Sequence, residues 1–253
     1  MMRAVINKVL RRFHRLISFI LRRPDFFSEE CYWSDWLQDN WADISSKESW
    51  AKIFPDRLGY YIDELSKSAG RSIKLLEIGS GPISILAYAV QEKLCDVVAI
   101  DPLADFYKKM MKGFGYSYPV VPVKGTAERL LDVVCEDSFD IAYSSNALDH
   151  AKSPKVCLDN IYHVIKPGGY IFLEGYSREG TNMKWWGLHK HDIFPNGERL
   201  CCKDKLGNLT VLTDGIKLKC VYLQVIKAKE RARGTPFVRA SDDDWYTMIF
   251  KKE

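Results

Sequence analysis

Between Ser72 and Gly175, short apolar runs alternate with helical stretches, and that rhythm leaves the chain little choice but a parallel sheet with helices on both faces. Ile73 to Ile78 reads as a buried-type strand, Ile83 to Lys93 as a helix, Asp96 to Ile100 as a second strand and Leu103 to Lys112 as a second helix. Tyr118 to Val123, Phe139 to Ser144 and Tyr170 to Glu174 supply three more strands, with a helix from Pro154 to Ile165 before the last. Leu218 to Ile226 and Trp245 to Lys251 are the remaining strand candidates, so a sixth and a seventh strand can close the sheet. The expected fold class is α/β: a seven-stranded, mostly parallel, Rossmann-like sheet with an N-terminal helical cap.

The flanks differ in chemistry. Residues 1–23 hold seven bases and no acid, which leaves thirty bases against thirty-three acids in the other 230 residues. A body near −3 does not indicate a surface built to grip nucleic acid. On a helix, Val5, Val9, Leu10, Phe13, Leu16 and Ile17 fall on one arc and Lys8, Arg11 and Arg15 opposite, so 1–23 is a basic amphipathic helix. It lies on an anionic membrane surface, serves as a targeting segment, or packs on the body. Its charge-free stretch, Leu16 to Leu21, is far short of the ~20 residues that span a bilayer.

Residues 24–71 read as a helical, aromatic-rich cap with four of the seven tryptophans, Trp33, Trp36, Trp41 and Trp50. Those rings fill an interface with the main domain or wall a substrate pocket. The main domain is expected over 72–253, with a specificity insertion at 176–216 in which Arg199 to Leu212 forms a hairpin turning at Gly207-Asn208. Seven scattered cysteines without a C-x-x-C pair argue against a disulfide scaffold and against a common zinc spacing, and fit a reduced, cytoplasmic protein.

The run Leu75-Leu76-Glu77-Ile78-Gly79-Ser80-Gly81-Pro82-Ile83 puts glycines where a strand hands over to a helix, so the backbone can turn sharply and a ligand can approach its amides. Asp101 follows 22 residues after Gly79, at the end of the second strand, where a carboxylate can accept both ribose hydroxyls of an adenosine-containing cofactor. A dinucleotide turn would need glycine at position 84, which is Ser84.

With these motifs the chain resembles the class I S-adenosylmethionine-dependent methyltransferases of the small-molecule group, over about residues 72–175. Glu77, Gly79 and Gly81 match the family's first motif, Asp101 its ribose acid, Gly125-Thr126-Ala127-Glu128 the segment beside adenine, and Ile165-Lys166-Pro167-Gly168-Gly169 the turn before the fifth strand. The resemblance implies S-adenosyl-L-methionine as cofactor, held by Glu77, Gly79, Ser80, Gly81, Asp101, Pro102, Leu103, Thr126, Ala127, Glu128 and Asn146. Two departures stand out. The family's third glycine falls at Ile83, and its frequent adenine-binding acid at Thr126.

Methyl transfer from a sulfonium is an in-line displacement, so the protein must align the nucleophile, exclude water and, for a hydroxyl, remove a proton. Ser144-Ser145-Asn146-Ala147-Leu148-Asp149-His150 follows the fourth strand. His150 is the first candidate for the base, with Asp149 to orient it or bind substrate; the alternative is a histidine packed against the next helix. If the chain is extended at Trp185 to Asp192, His189 and His191 point to one side, for substrate binding, a proton relay, a metal or structure. Two histidines and a nearby acid do not establish a metal site, and none is assigned. The expected function is methyl transfer to a hydroxyl of a small molecule or glycan, at a membrane surface if the basic helix meets one. The alternative is a cofactor-binding assembly or regulatory protein without turnover.

Overall fold

The computed structural model describes residues 26–228 and 243–253; the basic segment 1–23 and the helix expected there lie outside them. The described chain opens with three helices, α1 (Phe26–Ile44), α2 (Lys47–Ile53) and α3 (Asp56–Ala69). There follow β1 (Ile73–Ile78), α4 (Ala87–Gln91), β2 (Cys95–Asp101), α5 (Ala104–Phe114), β3 (Val123–Lys124), β4 (Phe139–Ser145), α6 (Pro154–Val164) and β5 (Ile165–Tyr176). The last part holds α7 (Glu179–Asn182), β6 (His191–Asn196), β7 (Arg199–Asp204), β8 (Leu209–Val211), β9 (Leu218–Ile226) and β10 (Trp245–Lys252). Among the described residues no helix is long and apolar enough to cross a membrane.

Seven strands form one sheet in the order β3-β2-β1-β4-β5-β10-β9. The first five run parallel, while β10 is antiparallel to both of its neighbours. The continuous apolar run of β1 follows from burial on both faces, because successive strand residues point to opposite sides. Leu75 packs with Leu58 and Ile62 of α3, and Leu76 packs with Leu158 and Ile161 of α6. Each such side chain contributes about 1.5–3 kcal/mol when taken from water.

Three expected elements came out differently. The third strand is only Val123–Lys124 rather than Tyr118 to Val123. Pro119 and Pro122 have no N–H for a ladder, and Tyr118 turns inward to donate its hydroxyl to the Ser84 carbonyl at 3.0 Å. The helix expected from Ile83 to Lys93 shrinks to Ala87–Gln91, because the Ser84 hydroxyl accepts the Leu86 N–H at 3.0 Å and so replaces a first helical turn. The fifth strand extends over Ile165–Tyr176, with the Pro167-Gly168-Gly169 turn absorbed where pairing jumps from Phe139↔Ile165 to Ile141↔Tyr170.

The hairpin through Gly207 is present as β7 and β8, and β6 adds a third strand by pairing with β7 across Gly197. Ile193, Leu200 and Cys202 of this small sheet, and Leu212 just after it, join the core under α6, together with Tyr246 and Met248 of β10. The cap packs through its aromatics: Trp41 stacks on Tyr116 at 4.0 Å, and Trp50 meets Tyr118 edge-on. These rings, with Leu37 and Ile44, close over Ile83 and over Tyr107 and Met110 of α5.

Candidate active site

The carboxyl ends of β2, β1 and β4 lie side by side, and the loops leaving them build the site. Gly79 (φ 69°) and Gly81 (φ 61°) turn the chain after β1 in the left-handed region that favours glycine. A Cβ on Gly79 would stand 2.3 Å from the Cβ of Ala147, so only glycine lets the loop after β4 press against the turn. A Cβ on Gly81 would meet the Trp33 indole of α1 at 3.1 Å, which places the cap over the same turn.

Asp101 fastens this turn to β2. Its Oδ2 accepts the Gly81 N–H at 3.0 Å and its Oδ1 accepts the Leu103 N–H at 2.8 Å, the intervening Pro102 having no N–H. Burial pushes its carboxyl up to about 6 in spite of those two bonds. Glu77 works inside the turn, accepting the Ser84 hydroxyl, and burial pushes it up to about 7. Ser80 donates its hydroxyl to the Gly81 carbonyl at 3.1 Å.

Gly125 packs against the end of β2, where a Cβ would come within 2.8 Å of Ile100. Thr126 is extended and leads into a 3₁₀ turn, Ala127–Asp132. The carbonyls of Ala127 and Glu128 accept from Asn160 of α6, and the Glu128 carboxylate accepts the Lys152 N–H at 2.8 Å. Asn146, at φ 47°, braces β4 against β5: its Oδ1 accepts the Tyr176 N–H at 3.1 Å. Asparagine tolerates that backbone conformation better than most residues.

The loop after β4 ends in a 3₁₀ turn, Leu148–His150, and here the sequence-distant groups converge. His189 Nδ1 lies 2.7 Å from Asp149 Oδ2 and 3.1 Å from His150 Nε2, and His150 Nε2 lies 3.5 Å from the same Asp149 oxygen. The Lys190 N–H donates to the Asp149 carbonyl at 3.1 Å, which ties the 176–216 segment to this loop. Asp149 and His189 are buried, while His150 is partly open. The buried Glu179 carboxylate stands 3.7 Å from His189 Nδ1, and a carboxylate oxygen of Glu29, at the start of α1, lies within 4.8 Å of a ring nitrogen of each imidazole.

Of the residues singled out in the sequence, Glu77, Gly79, Ser80, Gly81, Asp101 and Leu103 thus form one turn, and Asp149, His150 and His189 one cluster on the neighbouring loop. His191 has other partners: its Nδ1 lies 3.3 Å from Cys202 Sγ, and burial lowers its pKa. Sequence reasoning missed Glu29 and Glu179. Glu179 lies in a stretch without periodicity, and nothing in the local pattern around Glu29 points to the site.

Residues 76–173 match the family model described as Methyltransferase domain. Two curated relatives, each a ubiquinone biosynthesis O-methyltransferase, are 28% identical: one from Idiomarina loihiensis over 54% of this chain and 54% of its own length, the other from Pseudomonas entomophila over 56% and 60%. The chain therefore spans little more than half the length of the curated relatives it matches. A solved structure from Galdieria sulphuraria, described as a sarcosine dimethylglycine methyltransferase, superposes with a TM-score of 0.50 at 12% identity, over 78% of this chain and 86% of that one. At that identity the likeness concerns the fold alone.

Proposed function

We propose that this chain, which carries a class I S-adenosylmethionine-dependent methyltransferase domain, moves the cofactor's methyl group to a hydroxyl of a small molecule or glycan. The observation that carries the reading is the convergence of Asp149, His150 and His189 on a loop that Gly79 allows to lie against the glycine turn. The turn carries the acid such a cofactor needs: the α-carbons of Gly79 and Gly81 lie against Ala147 and Trp33, and the Asp101 carboxylate, with one backbone N–H on each oxygen, retains lone pairs for ribose hydroxyls. Thr126, Ala127 and Glu128 would border the adenine.

When bound, S-adenosylmethionine supplies a methyl group on a positively charged sulfur. The chain's own residues then have two tasks. Trp33, over Gly81, and the 176–216 segment, held to Asp149 through Lys190, exclude water from the turn. The imidazole and carboxylate cluster takes up the acceptor's proton. A neutral amine attacks through a lone pair it already has, whereas a hydroxyl gains strongly from losing its proton as it attacks, so a built proton-handling cluster favours oxygen. The curated relatives' O-methyltransferase description agrees with that choice.

Calorimetry with S-adenosylhomocysteine, followed by labelled methyl transfer to paired phenol, sugar and amine acceptors, tests the reading. Saturable one-to-one binding with label on oxygen is expected. No binding, or label on nitrogen alone, would overturn it; binding without any turnover would favour a regulatory protein that holds the cofactor.

A further inference from the structure

We propose that Asp149, His150 and His189, with the Glu29 carboxylate alongside, form a site for a divalent first-row metal ion beside the glycine turn. One ligand atom each from Glu29, His150 and His189 can be chosen so that all lie within 4.8 Å of one another. Asp149 Oδ2 forms a tighter group with the two imidazoles, at 2.7 Å from His189 Nδ1 and 3.5 Å from His150 Nε2, and the two imidazole nitrogens are 3.1 Å apart. An ion with bonds of about 2.0–2.1 Å separates adjacent ligand atoms by about 3.0 Å in octahedral and about 3.4 Å in tetrahedral geometry. The three observed separations bracket those values.

Proton counting points the same way. His189 Nδ1 lies within hydrogen-bonding distance of both the Asp149 oxygen and the His150 nitrogen, yet a ring nitrogen has one in-plane position for a proton or a lone pair. It cannot give a straight bond to both. A cation near the centre of the three atoms accepts a lone pair from each. The two rings meet at 74° in a T-shaped contact with centroids 4.5 Å apart, and Lys190 and Asp149 lock the two segments through the backbone.

A donor set of two imidazoles and a carboxylate suits zinc, iron or manganese better than magnesium, and the Irving–Williams order ranks zinc above manganese. What the ion does rests on the methyl-transfer reading; that it binds does not. In that reading a bound ion would hold the acceptor hydroxyl as its anion and the proton would pass to water, the imidazoles then serving as ligands in place of accepting the proton themselves.

The test uses the full chain freed of metal by chelation and dialysis, titrated with Mn²⁺ and followed by electron paramagnetic resonance, with Zn²⁺ as competitor. One Mn²⁺ per chain is expected, with nitrogen modulation from imidazole in its spin echo and displacement by Zn²⁺. Glu29→Gln and His189→Gln should each weaken binding about tenfold or more, the scale of a lost metal-site partner. His163→Gln, on an exposed histidine of α6, controls for loose surface binding and should leave affinity unchanged. If His189→Gln fails to fold, Glu29→Gln and the nitrogen modulation decide. Binding weaker than millimolar, absent nitrogen modulation, or equal affinity in the folded variants would overturn the site. Absence of S-adenosylhomocysteine binding would instead overturn the methyltransferase reading, whatever Mn²⁺ does.

Discussion

Asp101 holds the Gly81 and Leu103 amides, and under the proposed function its carboxylate also accepts the ribose hydroxyls, so both roles set what its substitution should do. Because burial raises it to about 6, protonation begins to remove acceptor capacity as the pH falls below that value. Cofactor affinity should therefore be flat above about pH 6.5 and fall below pH 6, approaching tenfold per unit. Asp101→Asn should weaken binding by about 1.5–3 kcal/mol at neutral pH and flatten this dependence, as read by calorimetry across pH 5–8. An unchanged profile in the variant would move the titration to another group, Glu77 being the nearest alternative at about 7. The glycines and Asp101 were legible in the sequence because their chemistry depends on position at strand ends. The part Glu77 plays inside the turn was not, since its partner Ser84 lies in a stretch that reads as helix.

At the scale of elements, the small sheet of β6, β7 and β8 is what carries His189 to its place. It has little hold of its own and is anchored by apolar side chains, Leu200 among them, that are fully buried in the core under α6. Leu200→Ala should cost about 2–5 kcal/mol of stability, measured by denaturant unfolding. If the sheet detaches locally, amide exchange in 189–212 should accelerate more than in β1 or β4. Uniform acceleration would show that the sheet and the main domain unfold as one unit. The hairpin at Gly207 was legible from its turn residues, but β6 was not. Its strand carries Pro195 and its turn at Gly197 follows a tract of Trp, His and Gly without periodicity. The shortened β3 was misread for the opposite reason: an apolar run looked like a strand while two prolines denied it a ladder.

Across the whole molecule, three sequence-distant blocks close on one point: the start of the cap at Glu29 and Trp33, the loop after β4 at Asp149 and His150, and the insertion at Glu179 and His189. The seven-stranded sheet was readable because strand periodicity is local. The convergence was not, because no local pattern links residues 29, 150 and 189. The aromatic rings of residues 24–71 include Trp41 stacked on Tyr116 and Trp50 edge-on to Tyr118. The central claim is that the glycine turn binds cofactor while the converged cluster does the chemistry, and one variant separates the two. His150→Ala should bind S-adenosylhomocysteine as the parent chain does, yet transfer methyl to a hydroxyl acceptor roughly 10²–10⁴-fold more slowly in single turnover. Undiminished transfer by His150→Ala, or loss of transfer matched by an equal loss of cofactor affinity, would contradict it.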